Sequence, residues 1–306
     1  MFSDKIILVT GGTGSFGTAF IKRVLAEHNP RKVIVYSRDE FKQSQLANEV
    51  TDGRMRYYLG DVRDPTRLRR AFGHVDYVVH AAALKQVPAL EYCPTEAVKT
   101  NIIGAMNVIE AAMDCGVGKV VALSTDKAVN PVNLYGATKL AAEKLFIAAN
   151  AYNKTKFCCV RYGNVIGSRG SVIPFFQALK RMGRTEFPIT DKRMTRFWLT
   201  LDQAVDLVLL ALGTSMGGEI YVPRIPSMAI CDLARAIEPD CVFRDIGIRP
   251  GEKVHEKLIS EDVTNVYLVD GDRISPATAS LGSDTNDLWM TTEELQEILN
   301  ESVLCK

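Results

Sequence analysis

The sequence predicts an α/β protein: a doubly wound parallel sheet followed by a smaller C-terminal substrate-binding cap. Three observations predict it. Strand-like apolar runs alternate with helix-like runs through the first half, the pattern of parallel strands joined by crossover helices. The first strand runs directly into a glycine-rich turn and an amphipathic helix. After about residue 165 the alternation gives way to shorter elements punctuated by Pro174, Pro188, Pro223, Pro226, Pro250 and Pro276.

The elements follow in order. Residues 5–10 are continuously apolar, as a strand buried on both faces should be. Residues 15–28 carry Phe16, Ala19, Phe20 and Val24 at helical spacing. Strands are predicted at 32–36, 55–59 and 77–82. A long helix over 95–115 places Ala97, Ile102, Ala105, Val108, Ile109 and Ala112 along its length. A fifth strand at 119–124, a helix at 138–151 and a sixth strand at 156–162 complete the alternation. Helices are predicted at 173–182, 202–213, 230–237 and 292–299. The division is residues 1–165 for the cofactor-binding domain with the catalytic residues, and 166–306 mainly for the cap, interleaved in part with the first.

Composition narrows the function classes. The 306 residues are 47% hydrophobic and 24% charged, ordinary globular values that exclude a disordered chain. Thirty-seven Lys+Arg against 36 Asp+Glu leave a formal charge of +1, so no nucleic-acid footprint is expected. The N-terminal apolar run, Ile6 to Val9, is strand-sized rather than a signal peptide. The longest later run, Ala204 to Leu212, is interrupted by Asp206 and too short to span a bilayer. Seven cysteines without metal spacing read as free thiols in a reducing cytoplasm, with Cys158 and Cys159 on opposite faces of one strand. No metal site and no membrane association are predicted. His28, His74 and His255 form no ligand cluster.

The first turn reads Thr10-Gly11-Gly12-Thr13-Gly14-Ser15-Phe16-Gly17. Gly11, Gly14 and Gly17 are three apart, unlike the standard G-x-G-x-x-G. They still supply a tight turn, close approach to a pyrophosphate, and helix–strand packing. The following helix N-terminus faces the phosphates. This context makes the fold Rossmann-type. Twenty residues beyond Gly17 stands Ser37, then Arg38, with Lys42 nearby. Hydroxyl plus guanidinium suits the 2′-phosphate of NADP and makes NAD the lesser expectation. The alternative is that Arg38 pairs Asp39 or Glu40 on the surface. Asp61 and Val62 follow the third strand, near the adenine.

Tyr135 and Lys139 form Y-x-x-x-K, one helical turn apart and on one face. A nearby ammonium lowers a tyrosine's pKa and lets it act as a base. The pair lies just after Ser124-Thr125-Asp126-Lys127, at the carboxyl end of the fifth strand, where open α/β sheets bind ligands. Asp126 and Lys127 are adjacent groups of opposite charge that can divide acid and base roles. The alternative is a surface ion pair. His80 is expected to be a wall of the cofactor pocket rather than a catalyst. Arg249 with Lys253, and Arg196 with Lys192, offer cations for a diphosphate, although Lys192 reads as solvated.

Together these residues resemble the extended short-chain dehydrogenase/reductase family, and within it the configuration-inverting UDP-N-acetylglucosamine 4,6-dehydratases. The segments carrying the resemblance are Tyr36 to Glu40, His80 to Ala83, Ala83 to Pro88, Asn101, Ser124 to Ala128, Tyr135 with Lys139, Arg161 to Val165, Ser168 to Val172, Met194 to Phe197, Arg249 to Lys253, and Ser283 to Asp287 before Trp289. The resemblance covers nearly the whole chain. It implies that Ala81, Ala82, Ala83 and Asn101 join Gly11, Thr13, Gly14, Ser15, Phe16, Gly17, Ser37, Arg38, Lys42, Asp61, Val62, Tyr135 and Lys139 at the cofactor. It implies Asn164, Ser171, Val172, Arg196, Arg249 and Glu252 as nucleotide contacts, while Lys85 reaches the substrate or shapes the wall.

The implied chemistry oxidises C4, loses water across C5–C6, and returns hydride to C6. Tyr135 takes the C4 hydroxyl proton and Thr125 hydrogen-bonds the C4 oxygen. By resemblance, Asp126 assists loss of the 6-hydroxyl and Lys127 handles the C5 proton. The product is UDP-2-acetamido-2,6-dideoxy-β-L-arabino-hex-4-ulose, a precursor for surface glycans or protein glycosylation. The Asp-Lys pair separates this group from dehydratases that retain C5 and usually carry Asp-Glu. Membrane-linked retaining relatives typically have Met in place of Tyr135. The rival readings are a UDP-hexose 4-epimerase or a dehydratase of another nucleotide sugar and, in a different class, a non-catalytic NADP-binding regulator. The resemblance also implies a homo-oligomer, a dimer or higher, with helices 95–115 and 138–151 as a seam. One departure is that 258–282 is shorter than is usual in such proteins.

Overall fold

A computed structural model of the chain describes residues 2–168, 170–261 and 264–304. Arg169, within one of the resemblance segments, lies outside the described residues. So does Cys305; the other six cysteines are free thiols.

The six predicted strands form β1 (Ile6–Thr10), β2 (Lys32–Ser37), β3 (Met55–Leu59), β4 (Tyr77–His80), β5 (Lys119–Leu123) and β6 (Lys156–Val160). They lie in the order β3-β2-β1-β4-β5-β6, all parallel, and the sheet continues through Ile220–Pro223, Val266–Asp270 and Arg273–Pro276 to nine strands. Only the last pairing in this sheet is antiparallel. Every residue of β1 is buried, as a strand covered by helices on both faces requires. Helices Pro65–Phe72, Gly104–Asp114 and Leu134–Ala148 pack side by side in one layer, and Ser15–Glu27 packs against Leu201–Thr214 in the other. Arg23 ties that second pair together through Asp202 and Asp206.

The strand order reverses between β1 and β4, which opens a crevice above their carboxyl ends. Thr10 and His80 end those strands and are joined by a 2.8 Å hydrogen bond. The sequence extends the fourth, fifth and sixth strands to 82, 124 and 162, whereas pairing stops at His80, Leu123 and Val160. Of the excess residues, Ala81, Ala82, Ser124 and Tyr162 line this crevice, while Arg161 turns back to pair with Glu143. The long helix runs from Pro94 to Asp114 but passes through a π-helical stretch, Val98–Ile103. The helix predicted at 138–151 begins earlier, at Leu134, because Asn133 caps it by accepting from the Gly136 N–H.

Beyond residue 165 a second core gathers Ile166, Ile173, Phe176, Phe187, Ile189, Trp198, Met228, Leu233 and Leu295. Phe176 and Phe187 stack at 4.9 Å. The short 258–282 stretch is used economically. Lys257–Ile259 pairs with Leu281–Gly282, and between them the hairpin Val266–Asp270/Arg273–Pro276 closes the edge of the main sheet. Thus the last half of the chain supplies both a separate core and three strands of the first sheet.

Candidate active site

A cleft of about 1330 Å³ runs from the glycine-rich turn to the second core. At its cofactor end, Gly11 has φ +67° and a Cβ there would stand 2.9 Å from the Ala82 backbone, so the turn lies flush against the start of the 81–83 segment. The helix Ser15–Glu27 begins at Gly14 with no side-chain cap among the described residues, so its dipole end faces the cleft. Thr13, Gly14, Ser15, Phe16 and Gly17 line that end, with Ala81, Ala82, Ala83 and Val62 opposite. Such an uncapped, glycine-lined cradle fits a dinucleotide pyrophosphate.

Ser37, Arg38, Lys42 and Asp61 line the far end. Gln43 donates to Ser37 Oγ at 3.0 Å. Arg38 stands 3.6 Å from Asp61, while Asp39 pairs Lys42 at 2.9 Å. The surface pairing of Arg38 with Asp39 or Glu40 is therefore replaced by one across the cleft rim. Burial pushes the Asp61 carboxyl up, but Arg63 and Arg38 outweigh it and hold it below the ordinary range. Asp39 likewise occupies Lys42, so an incoming anion must compete with it for that ammonium.

Asn101, expected at the cofactor, stands as a brace behind the cleft wall. It does not line the cleft. Its amide accepts from the Leu84 N–H and donates to the Leu84 carbonyl and Thr138 Oγ1, at 2.9, 2.9 and 3.0 Å. It thereby fixes the 84 loop against the helix bearing Tyr135. His80 also sits behind the wall rather than on it. Buried against Phe146, it is pushed down to about 3 by burial and by Lys139, so it is neutral.

The residues expected to be catalytic converge above β5. Thr125 caps the short turn Asp126–Ala128, and its Oγ1 donates to Asp126 Oδ1 at 2.8 Å. Lys127 Nζ donates to the same oxygen at 3.0 Å. Asp126 is fully buried and is not itself on the cleft surface. It acts on the cleft through Thr125 and Lys127, so the surface ion pair is excluded. Its Oδ2 has no hydrogen-bond partner among the described residues. Lys127 faces the cleft between Asp126 and Asn164, whose Oδ1 is 3.5 Å away.

Tyr135 and Lys139 line the cleft from one turn of the same helix. The electrostatics differ from the sequence reading. Burial raises the Tyr135 pKa, and the opposing influences are the Lys127 ammonium and a Thr125 hydrogen bond, not Lys139. Lys139 is nearly buried and is itself pushed down by burial. The close approach of catalytic turn and helix depends on Gly136, where a Cβ would stand 2.9 Å from the Lys127 carbonyl carbon and closer still to its oxygen.

At the other end, Asn164, Ser171, Val172, Arg196, Arg249, Glu252 and Lys85 all line the cleft. Arg249 is paired with Glu252. Arg196 is bound to backbone: Nη1 donates to the Thr195 and Val254 carbonyls, and Nη2 to Lys253 O. It clamps the 249–256 segment as well as facing the cleft. Lys192 does not line it. Sequence reading missed Glu256, which is 3% exposed, lines the cleft, and stands 3.6 Å from Lys127 Nζ. Its only sequence signal is an acidic residue three positions beyond Lys253, at the mouth of a buried strand. Among the described residues no group of side chains could hold a metal ion, and no helix is long and apolar enough to cross a membrane.

Comparison with known proteins places this geometry. Residues 7–273 match the family described as polysaccharide biosynthesis protein. A Campylobacter jejuni serotype O:2 protein named UDP-N-acetylglucosamine 4,6-dehydratase (inverting) is 50% identical over 331 aligned positions, covering 99% of each chain. The aligned length exceeds the 306 residues here, so that relative carries residues this chain lacks. A Rickettsia canadensis protein named UDP-glucose 4-epimerase is 44% identical, covering 86% of this chain and 80% of its own. Among solved structures, the dTDP-glucose 4,6-dehydratase DesIV from Streptomyces venezuelae, with NAD bound, superposes with a TM-score of 0.75 at 25% identity, over 81% of this chain and 86% of that one.

Proposed function

The chain belongs to the polysaccharide biosynthesis protein family, within the inverting 4,6-dehydratase group of the extended short-chain dehydrogenases/reductases. On that premise we propose that it is an NADP-dependent hydro-lyase that converts UDP-N-acetylglucosamine to UDP-2-acetamido-2,6-dideoxy-β-L-arabino-hex-4-ulose, with inversion at C5. The observation that carries the reading is the Asp126–Lys127 pair, hydrogen-bonded at 3.0 Å and set beside Tyr135 in one cleft. A 4-epimerase has no use for a second acid–base pair at C5 and C6.

What a bound nicotinamide supplies is hydride exchange, taken from C4 and returned to C6. The protein does the rest. Tyr135 accepts the C4 hydroxyl proton, aided by Thr125, which hydrogen-bonds the same oxygen. The C4 ketone acidifies H5, which Lys127 removes; once hydride has reached C6, C5 takes up a proton from the opposite face, which is the inversion. Asp126, reaching the cleft through Thr125 and Lys127, assists loss of the 6-hydroxyl as water. Arg38 and Ser37 take the 2′-phosphate that distinguishes NADP. Arg249, Arg196, Glu252, Asn164, Ser171 and Val172 take the uridine diphosphate. We further place the enzyme in the cytoplasm, consistent with its six described free thiols. We place a dimer seam on the 94–114 helix, which exposes Val98, Ile103 and Met106.

The test is the reaction of UDP-N-acetylglucosamine in D₂O followed by NMR. The proposal expects loss of the 6-hydroxyl, a methyl at C6 and deuterium at C5. The 44% identity to the Rickettsia protein favours a second reading, 4-epimerisation. Recovery of UDP-N-acetylgalactosamine alone, with no deuterium at C5, would establish it and remove ours.

A further inference from the structure

Lys127 must change charge during the proposed reaction, and the structure shows what surrounds it. Asp126 Oδ1 lies 3.0 Å away on its own turn. On the opposite side, from the distant segment after the Arg249–Lys253 turn, Glu256 Oε1 lies 3.6 Å away. The remaining charged and titratable neighbours are Arg196, on the strand Thr195–Leu199, and Tyr135, on the helix Leu134–Ala148. Lys253 Nζ stands behind Glu256, 3.4 Å from Oε2 and donating to the Val129 carbonyl. Lys127 is therefore flanked by two carboxylates on separate parts of the fold.

Glu256 is held in place with unusual completeness. Its N–H donates to Ser283 Oγ at 3.0 Å, and its carbonyl accepts from the Ser283 N–H at 2.8 Å. Ser283 Oγ is in turn bonded to Thr195 Oγ1 at 2.7 Å. The carboxylate itself has no such satisfaction. Oε2 is within ion-pair range of Lys253 yet has no hydrogen bond among the described residues. A buried carboxylate without hydrogen bonds is costly unless charge nearby repays it. A rigid backbone carrying an under-satisfied carboxylate between two ammoniums, Lys127 at the cleft and Lys253 behind it, is the arrangement of a group kept for its field rather than for packing.

We infer that Glu256 is a positioning residue: it holds Lys127 between two carboxylates and sets the pH at which that side chain exchanges its proton. The inference rests on the dehydratase reading, which makes Lys127 the group at C5. It adds that the field on Lys127 comes partly from the segment that binds the sugar nucleotide, so both are built on one run of chain, 249–256. The physical direction does not depend on which half-reaction is slow. If Lys127 must be neutral, activity rises with pH through its pKa. If it must be charged, activity falls through it. Removing a carboxylate destabilises the ammonium, so either limb moves to lower pH.

The experiment is the kcat–pH profile of the full-length holoenzyme, with UDP-N-acetylglucosamine and product identified by NMR. Wild type first establishes the dehydratase reading, and absence of a 4-keto-6-deoxy product sinks that reading independently. The Lys127 limb is the one displaced to lower pH when Lys127→Cys is alkylated to aminoethylcysteine, whose amine is less basic than that of lysine. With dehydration confirmed, Glu256→Gln should move that limb down by about one to three pH units, the range for losing an opposite charge within about 4–6 Å. KM for the sugar nucleotide should change less than twofold. Glu256→Asp, which keeps the charge, should restore most of the shift. Lys253→Met tests the opposite sign and does not require Glu256 to be altered: it removes a cation behind Glu256 and should move the limb up. A limb unmoved in Glu256→Gln and in Lys253→Met overturns the inference. If Glu256→Gln does not fold, Lys253→Met alone decides, an upward shift supporting the inference and none refuting it.

Discussion

Gly136→Ala tests whether the catalytic turn is positioned by the helix that carries Tyr135. The added methyl would meet the Lys127 carbonyl carbon at 2.9 Å and Pro131 Cβ at 3.1 Å. Ordinary carbon contacts are about 3.5–4.0 Å, and the Lys127 carbonyl oxygen is closer still than its carbon, so turn and helix must separate by about 1 Å or more. Neither partner is a flexible side-chain end, because the closest atoms are backbone. The helix is pinned by Asn133, whose Nδ2 donates to the Gly251 carbonyl at 2.8 Å, so the turn at Asp126–Ala128 is the element that yields. Overpacking of this kind costs about 1–3 kcal/mol of stability, which a chain of this size tolerates. A misplacement near 1 Å costs about 10²-fold in rate. The expected result is a kcat for dehydration reduced about a hundredfold, with NADP affinity within about twofold, because the cofactor's phosphate cradle lies on other elements. Stopped turnover by NMR and fluorescence titration of the cofactor measure the two quantities. Wild-type kcat in a folded Gly136→Ala protein would refute the argument that this contact sets the spacing of Lys127 and Tyr135.

Three further outcomes follow from other sites. Arg38→Ala should weaken NADP binding about tenfold, the low end of about 1.5–3 kcal/mol for a charge-assisted contact because Arg38 is half exposed, and leave NAD nearly unchanged; equal losses in titrations with the two cofactors would remove the assignment. Glu143→Ala breaks a pair with Arg161 in which both side chains are at most 3% exposed and strands a guanidinium that also holds the Leu258 carbonyl. The expected loss is about 3–5 kcal/mol, or roughly 5–8 °C in Tm for this length, read by thermal melting. His80 is held near 3, below its ordinary 6.5, so the unfolded chain binds the extra proton between those values. Its contribution is therefore complete above about pH 6.5 and is lost as pH falls toward 3, by about 1.4 kcal/mol per unit. His80→Gln should flatten the decline in urea midpoint between pH 6.5 and 4, and an unchanged slope would show that His80 does not titrate on unfolding.

The main sheet was legible because its strands obey one rule: a strand buried on both faces is a continuous apolar run between helical segments. Boundaries at the carboxyl ends were not legible. Residues such as Ala81, Ala82 and Tyr162 are apolar for the cleft's sake rather than for the sheet's, and periodicity does not distinguish the two. Paired strands such as Glu186–Ile189 with Val242–Asp245 were missed because four residues with a proline among them carry little pattern. In the site, residues adjacent in sequence were readable: Thr125, Asp126 and Lys127 declare themselves by order, and Tyr135 with Lys139 by helical spacing. Glu256 was not, because its meaning lies in a contact spanning 129 positions of chain with Lys127. The bracing by Asn101 was not legible for the related reason that an amide held between a loop and a helix looks, in sequence, like any polar residue near the site.

The same distinction explains why a net charge of +1 is silent about ligands that are both anions. A neutral total can arise from a cleft without charge or from one in which every cation has a partner. For the cations at the proposed anion sites and for Lys127 it is the second. Arg38 is paired with Asp61, Lys42 with Asp39, Arg249 with Glu252 and Lys127 with two carboxylates, and Arg196 is spread over three backbone carbonyls. Each cation is thus oriented before any phosphate arrives, which reduces the entropy lost on binding. The corresponding cost is that a phosphate must share or displace a carboxylate already in place, so affinity reflects the difference between two anions for one cation. Arg38 and Arg249 are themselves about half exposed and release Asp61 and Glu252 the more readily, because exposed ion pairs contribute at most about 1 kcal/mol. The buried partners Asp126 and Glu256 are not displaced, and that divides the cleft's cations into those that bind anions and the one, Lys127, that is kept for moving a proton.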